Sequence, residues 1–198
     1  MPQTSWIFDV RRAGATSPTV RVQLAGENRS VLGLVEGLQG RLMRPVDLGA
    51  QPELELLATL QGTWLRVGAA GPWSHLRSPR DATGLVTAFA LPLLGAGALA
   101  GFDLADLSVL LSAGGAEFEN LPWRWTPPLE RHLAHQLKGA SGAFAVFLGE
   151  PLQLHEVEDR ARRLHAVLPP HAHCIHAASL LPGHPARLLL TLFRGGHP

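Results

Sequence analysis

The chain has 198 residues, 46% of them hydrophobic and 17% charged, with a formal net charge of +1. That length suits one large domain or two small ones, and the apolar share supports a buried core. Near-neutral charge argues against nucleic acid or an anionic membrane as a partner, and the single cysteine, Cys174, excludes an internal disulfide and fits a reducing cytoplasm.

Residues 1–5 lack a basic segment followed by an apolar core, so no signal peptide is expected. Residues 6–10 and 19–24 are predicted strands. In the second, Val20, Val22 and Leu24 alternate with Arg21 and Gln23, and Gly14, Ser17 and Pro18 supply the turn between the two. Residues 30–43 carry Val31, Leu34, Val35, Leu38 and Leu42 at helical spacing, weakened by Gly33, Gly37 and Gly40. Residues 45–52 form a loop, 53–60 a short helix or strand, and 63–67 a strand closed by Gly68, Gly71 and Pro72.

Ser78-Pro79-Arg80-Asp81 has an N-cap serine, a proline at the first helical position and an acid three residues after the serine. A central helix is predicted from there to Leu94 or Leu99, bent or ended by Pro92. No charge occurs over 82–102, about the length that spans a bilayer. Its glycines, its proline and its alanine-rich bulk favour a buried helix over a membrane span.

Asp103 caps a second helix over 104–111, stopped by Gly114 and Gly115. An extended segment at 116–125 and a helix over 127–137 follow. Residues 143–148 are an apolar strand. Residues 152–167 are amphipathic, with Leu154, Val157, Ala161, Leu164 and Leu168 inward and Glu156, Asp159, Arg160 and Arg163 outward. Residues 173–180 and 186–193 are strands joined by a Pro/Gly turn. The second half is therefore a sheet covered by helices.

Four segments, Gly101–Asp106, Gly139–Gly149, Leu152–Val157 and Ala186–Gly196, resemble in this order segments of FtsZ, the tubulin-like division GTPase. Gly101-Phe-Asp-Leu-Ala-Asp106 is similar to its synergy loop, of the form Asn-Val-Asp-Phe-Ala-Asp. Gly139-Ala-Ser-Gly-Ala-Phe-Ala-Val-Phe-Leu-Gly149 resembles the strand that opens its C-terminal sheet. Leu152-Gln-Leu-His-Glu-Val157 resembles the start of the next helix, and Ala186-Arg-Leu-Leu-Leu-Thr-Leu-Phe-Arg-Gly-Gly196 its closing strand. The resemblance runs over 82–196.

The departures matter equally. The family's Gly-Gly-Gly-Thr-Gly-Thr-Gly loop, whose backbone amides cradle phosphates, has no counterpart here. Neither a Gly-x-x-x-x-Gly-Lys-Ser/Thr loop nor Gly-x-Gly-x-x-Gly occurs. Gly101 stands where the family has asparagine. The resemblance implies a truncated tubulin/FtsZ-like α/β fold: a shortened N-terminal α/β remnant over 1–78, a central helix over 79–99 and an FtsZ-like C-terminal domain over 100–198, a mixed sheet covered by helices. The departures from the family lead to the expectation of a protein with no cofactor and no nucleotide of its own, and not an enzyme by itself.

In the family, subunits stack head to tail, and the acids of this loop polarise the water that attacks the next subunit's GTP. Gly101, Asp103 and Asp106 are therefore the candidate partner-binding residues, toward an FtsZ-like filament subunit or a second copy of this chain. Asp-x-x-Asp at a helix start is also a plain capping arrangement, favoured by the helix dipole. A protein with the loop and without the nucleotide face would cap or modulate a filament. A homo-oligomeric structural protein, or a small-molecule or metal-binding enzyme on the same scaffold, is the alternative. All basic residues but Lys138 are arginine and tyrosine is absent, a composition matching GC-rich bacterial coding.

Other candidates have plainer explanations. All ten histidines except His75 follow Arg131. His171, His173, Cys174 and His176 suggest a metal site, but on a strand the first two face away from the last two, so the four cannot converge. His165 could join from the preceding helix; scattered surface or packing histidines are the commoner arrangement. Glu117 and Glu119 share a strand face as a candidate carboxylate pair, or simply face solvent. Trp123 and Trp125 flank Arg124 as a candidate stacking platform, or pack in the core.

Overall fold

A computed structural model of the chain describes residues 5–12, 19–25, 43–45, 52–59, 62–68, 70–77, 84, 87–89, 92–93, 98–100, 102–112 and 114–195. The fold is mixed α/β, and the chain divides into two compact units, Met1–Ala96 and Gly97–Pro198.

The first unit holds β1 (Ser5–Arg12), β2 (Thr19–Ala25), β3 (Met43–Pro45), β4 (Leu54–Thr59), β5 (Gly62–Val67) and β6 (Ser74–Arg77). Their order is β3-β1-β2-β4-β5-β6, antiparallel except for the parallel pair β2–β4. The ambiguous segment at 53–60 is thus a strand, because Leu54, Leu56 and Leu57 pair into a ladder on both sides. Strand alternation sends Val20, Val22, Leu54, Leu56, Leu65 and Leu76 to one face, all of them buried. Each such side chain contributes about 1.5–3 kcal/mol by leaving water.

The opposite face carries charged and aromatic side chains. Arg21, Glu55 and Arg66 stand directly across from one another on β2, β4 and β5. Glu55 is 2% exposed; Arg66 pairs with its carboxylate, and an Arg21 nitrogen lies 3.6 Å from it. Arg66 also lies over the Trp73 ring at 4.6 Å, and Trp64 stacks on His75 at 4.8 Å.

Residues 84, 87–89 and 92–93 are helical, and Ala88 and Phe89 are buried. The helix expected to reach Leu99 stops short of it: 98–100 is a strand. Ala98 and Ala100 find antiparallel partners there in Ser179 and Ala178. The expected helix over 30–43 and the Ser78–Asp81 start signal lie outside the described residues, apart from Met43, which opens β3.

The second unit holds β7 (Ala98–Ala100), α1 (Leu104–Ser112), β8 (Gly114–Pro122), α2 (Pro127–Gln136), β9 (Gly142–Leu148), α3 (Leu154–Val167), β10 (His173–Ser179) and β11 (Arg187–Gly195). The order is β8-β11-β9-β10-β7. β9 and β10 are parallel, as a crossover through α3 allows, and β11 runs antiparallel to β8 and β9.

Every residue of β9 is buried, the pattern of a strand covered on both faces. On one face Ala143, Ala145, Phe147, Leu188, Leu190 and Leu192 form a core with Leu129 and Leu133 of α2 and Val157, Ala161 and Leu164 of α3. Leu154, expected to point inward, is 54% exposed at the first turn of α3; Leu152, just before the helix, joins the core instead. On the other face Phe144 meets Phe102 edge-on at 4.7 Å, and α1 buries Leu107, Leu110 and Leu111. Gly142 leaves room there: a Cβ would collide with a Leu110 methyl.

Candidate functional site

The candidate site is the entry to α1. Phe102 anchors it, because its ring is held by Phe144 of β9. The next residue starts the helix: the Asp103 carboxylate accepts the Ala105 backbone N–H at 2.8 Å, and its carbonyl accepts that of Leu107 at 3.2 Å. This is N-capping in the expected position, and it places negative charge where the helix dipole favours it. Asp106 sits in the first turn, and both acids are exposed. Gly101 lies outside the described residues.

The helical period divides α1 cleanly. Leu107, Leu110 and Leu111 face the sheet, while Ala105, Asp106, Ser108, Val109 and Ser112 face out. Val109 is 55% exposed, an apolar side chain one turn beyond Asp106 on the same side. Sequence reasoning passed over Val109, yet its signal was present: it falls out of phase with the three leucines. Chemically this surface offers negative charge, hydrogen-bond acceptors and a small apolar contact. Asp103 is committed to the cap; Asp106 is the acid that faces outward.

The other candidates resolve into separate contacts. Glu117 pairs with Arg194 at 3.1 Å, and Glu119 with His132 at 2.9 Å, so each carboxylate has its own partner. Arg194 also donates to the Gln136 carbonyl at 2.8 Å and the Lys138 carbonyl at 3.3 Å, which ties β11 to the end of α2. Trp123 packs against Phe147 at 5.9 Å under the Arg160 guanidinium, which lies 3.6 Å from its centroid and donates to its carbonyl at 3.1 Å. Burial lowers the Arg160 pKa. Trp125 packs beside the same core.

His165 does approach the His-rich strand: its ring lies 6.3 Å from that of His176. Burial, with His165 nearby, lowers the His176 pKa. Burial pushes the Cys174 thiol up to about 11. Among the described residues no group of three or more His, Cys, Asp or Glu side chains is placed to hold a metal ion, and no helix is long and apolar enough to cross a membrane.

No family model matches the chain, and no curated protein is similar to it. Solved structures are. A mutant FtsZ from M. jannaschii superposes with a TM-score of 0.45 at 22% identity, covering 59% of this chain and 38% of that one. An empty FtsZ dimer from M. jannaschii gives 0.44 at 22% identity, covering 57% of this chain and 36% of that one. The chain thus spans less than two fifths of the length of either protein.

Proposed function

We propose that this protein is an FtsZ-like interaction module that binds no nucleotide of its own and docks on an FtsZ-like filament subunit through the outer face of α1. The observation that carries this reading is Val109, 55% exposed, beside the outward Asp106 on a helix whose other side is fixed in the core. Such a pairing gives a partner an apolar contact and a charge that sets orientation. The resemblance of Gly101–Asp106 to the family's subunit-contacting loop supports it, as does the sequence's lack of a phosphate-cradling glycine loop. A subunit that docks by this face and offers no nucleotide surface terminates a head-to-tail assembly instead of extending it. The protein then acts as a cap or modulator of filaments and hydrolyses nothing by itself.

The test is co-sedimentation with FtsZ polymerised in GTP, measuring pelleted protein and GTP turnover together. Wild type is expected to pellet with filaments or lower turnover, and Val109→Asp with Asp106→Lys to do neither. If wild type changes neither quantity, the reading fails. Sedimentation velocity of the pure protein separates it from the homo-oligomeric alternative, in which the same face pairs with a second copy.

A further inference from the structure

The outer edge of β10 carries an inference that does not rest on the docking face of α1. β9 runs along the whole inner edge of β10, but on the outer edge β7 reaches only Ala178 and Ser179. Among the described residues no strand lies along His173–Ala177 on that side. The main-chain groups of successive strand residues point to alternate edges. The His173 N–H donates to the Ser141 carbonyl at 3.2 Å, and the Ser179 carbonyl accepts the Gly149 N–H at 3.3 Å, both on the β9 side. Cys174 and His176, out of step with these two, therefore present their N–H and C=O groups outward. We propose that this edge docks a second copy of the chain, β10 pairing antiparallel with β10 about a two-fold axis that sets Ile175 across from Ile175.

The edge fits its own copy in one register. In an antiparallel pair, each hydrogen-bonded residue exchanges both its bonds with one facing residue. With Ile175 across from Ile175, Cys174 of each copy exchanges both with His176 of the other, and every outward group on Cys174 and His176 is satisfied. The neighbouring symmetric registers fail. One places Cys174 across from Ala178, whose edge Ala100 already holds. The other places His176 across from Ala172, whose N–H is bonded to the Pro169 carbonyl at 2.9 Å. The side chains agree with the pairing. Cys174 lies on the α3 side of the sheet, and Ile175 lies on the other side in register with Phe144, half-buried. Facing residues at the non-hydrogen-bonded place come closest, so each Ile175 covers the other. Strand edges that stay single are commonly guarded by lysine, proline or other charges, and His173–Ser179 contains no Lys, Arg, Asp, Glu or Pro. The contact is closed by its symmetry, so it makes a dimer and not a fibre.

The experiment uses the full chain. Sedimentation velocity over a concentration series is expected to show a monomer–dimer equilibrium. His176→Pro removes an outward N–H at an edge position, where proline is tolerated. It also removes the bond to the facing Cys174 in each half of the dimer, so dimer affinity should fall about tenfold or more. Ile175→Cys combined with Cys174→Ala reads the register. Facing α-carbons at that place lie about 4.5 Å apart, within the roughly 4.4–6.8 Å that a disulfide spans, so diamide should link the two copies. Wild type should not link, because the offset of two residues puts the two Cys174 α-carbons more than about 8 Å apart. Absence of linking through Ile175→Cys overturns the proposal, as does equally fast linking of wild type through Cys174. Wild type that stays monomeric overturns it too and leaves the edge to a strand of another protein. Val109→Asp should dimerise as wild type does; a dimer lost in that variant belongs to α1, which also overturns the proposal. If His176→Pro does not fold, the cross-link decides.

Discussion

Replacing Asp103 separates its two candidate roles, because the cap and the charge can be removed independently. Asp103→Ala deletes the acceptor of the Ala105 N–H, a 2.8 Å bond, and leaves that amide to water. Loss of an N-cap costs about 1 kcal/mol, within roughly 0.5–2. The helix has nine residues, so it is held by Leu107, Leu110 and Leu111 more than by its own propensity. With a urea dependence of about 1–3 kcal/mol/M, the midpoint should fall by about 0.3–1 M. Asp103→Asn keeps the cap and removes the charge, so its midpoint should stay close to wild type. Asp106→Ala removes an exposed acid that caps nothing and should shift stability by less than about 0.5 kcal/mol. Filament co-sedimentation should rank the variants differently, with Asp106→Ala binding more weakly than Asp103→Asn. The capping account is refuted if Asp103→Asn destabilises as much as Asp103→Ala.

Three further outcomes follow from buried or shifted groups. Glu55→Ala leaves the Arg21 and Arg66 guanidiniums facing each other across β4 and should cost about 3 kcal/mol in urea unfolding; a loss under about 1 kcal/mol would show that the ion triad is not what fixes this sheet face. The folded pKa of His176 lies below its ordinary 6.5, so in that window the unfolded chain binds more protons. Stability should therefore fall as pH drops from 6.5 through the folded pKa, by more in wild type than in His176→Gln; parallel pH profiles would contradict this. The Cys174 thiol, raised from 9.0 to about 11, has about a hundredfold less thiolate at pH 8 than an ordinary thiol. Native alkylation by iodoacetamide should be slower than alkylation in urea by about that factor, and equal rates would show the thiol to be accessible and ionised.

Local chemistry was legible wherever one segment carried its own signal. The Asp103 cap, the apolar run that becomes β9 and the amphipathic period of α3 all depend on residues within a few positions of each other. The same locality exposes the limits. Ala98–Ala100 has no strand signal of its own and becomes β7 only because Ala178 and Ser179 offer a free edge. Leu154 fits the apolar stripe of α3, yet it falls at the first turn, beyond the reach of the sheet, and Leu152 takes its place.

The sequence by itself determined which segments would be helices and strands from α1 onward, where α1 starts, and that Asp103 and Asp106 lie at one helix end. Those properties follow from dihedral preference, hydrophobic period and capping, which act over one or two turns of chain. Only the tertiary structure decided that Glu55 is buried between two arginines, that Glu117 and Glu119 take separate partners, and that His165 meets His176. Each of these depends on strand register or on how a helix rolls against its sheet. Register and roll are set by contacts between residues far apart in the chain, and no window of local sequence contains them.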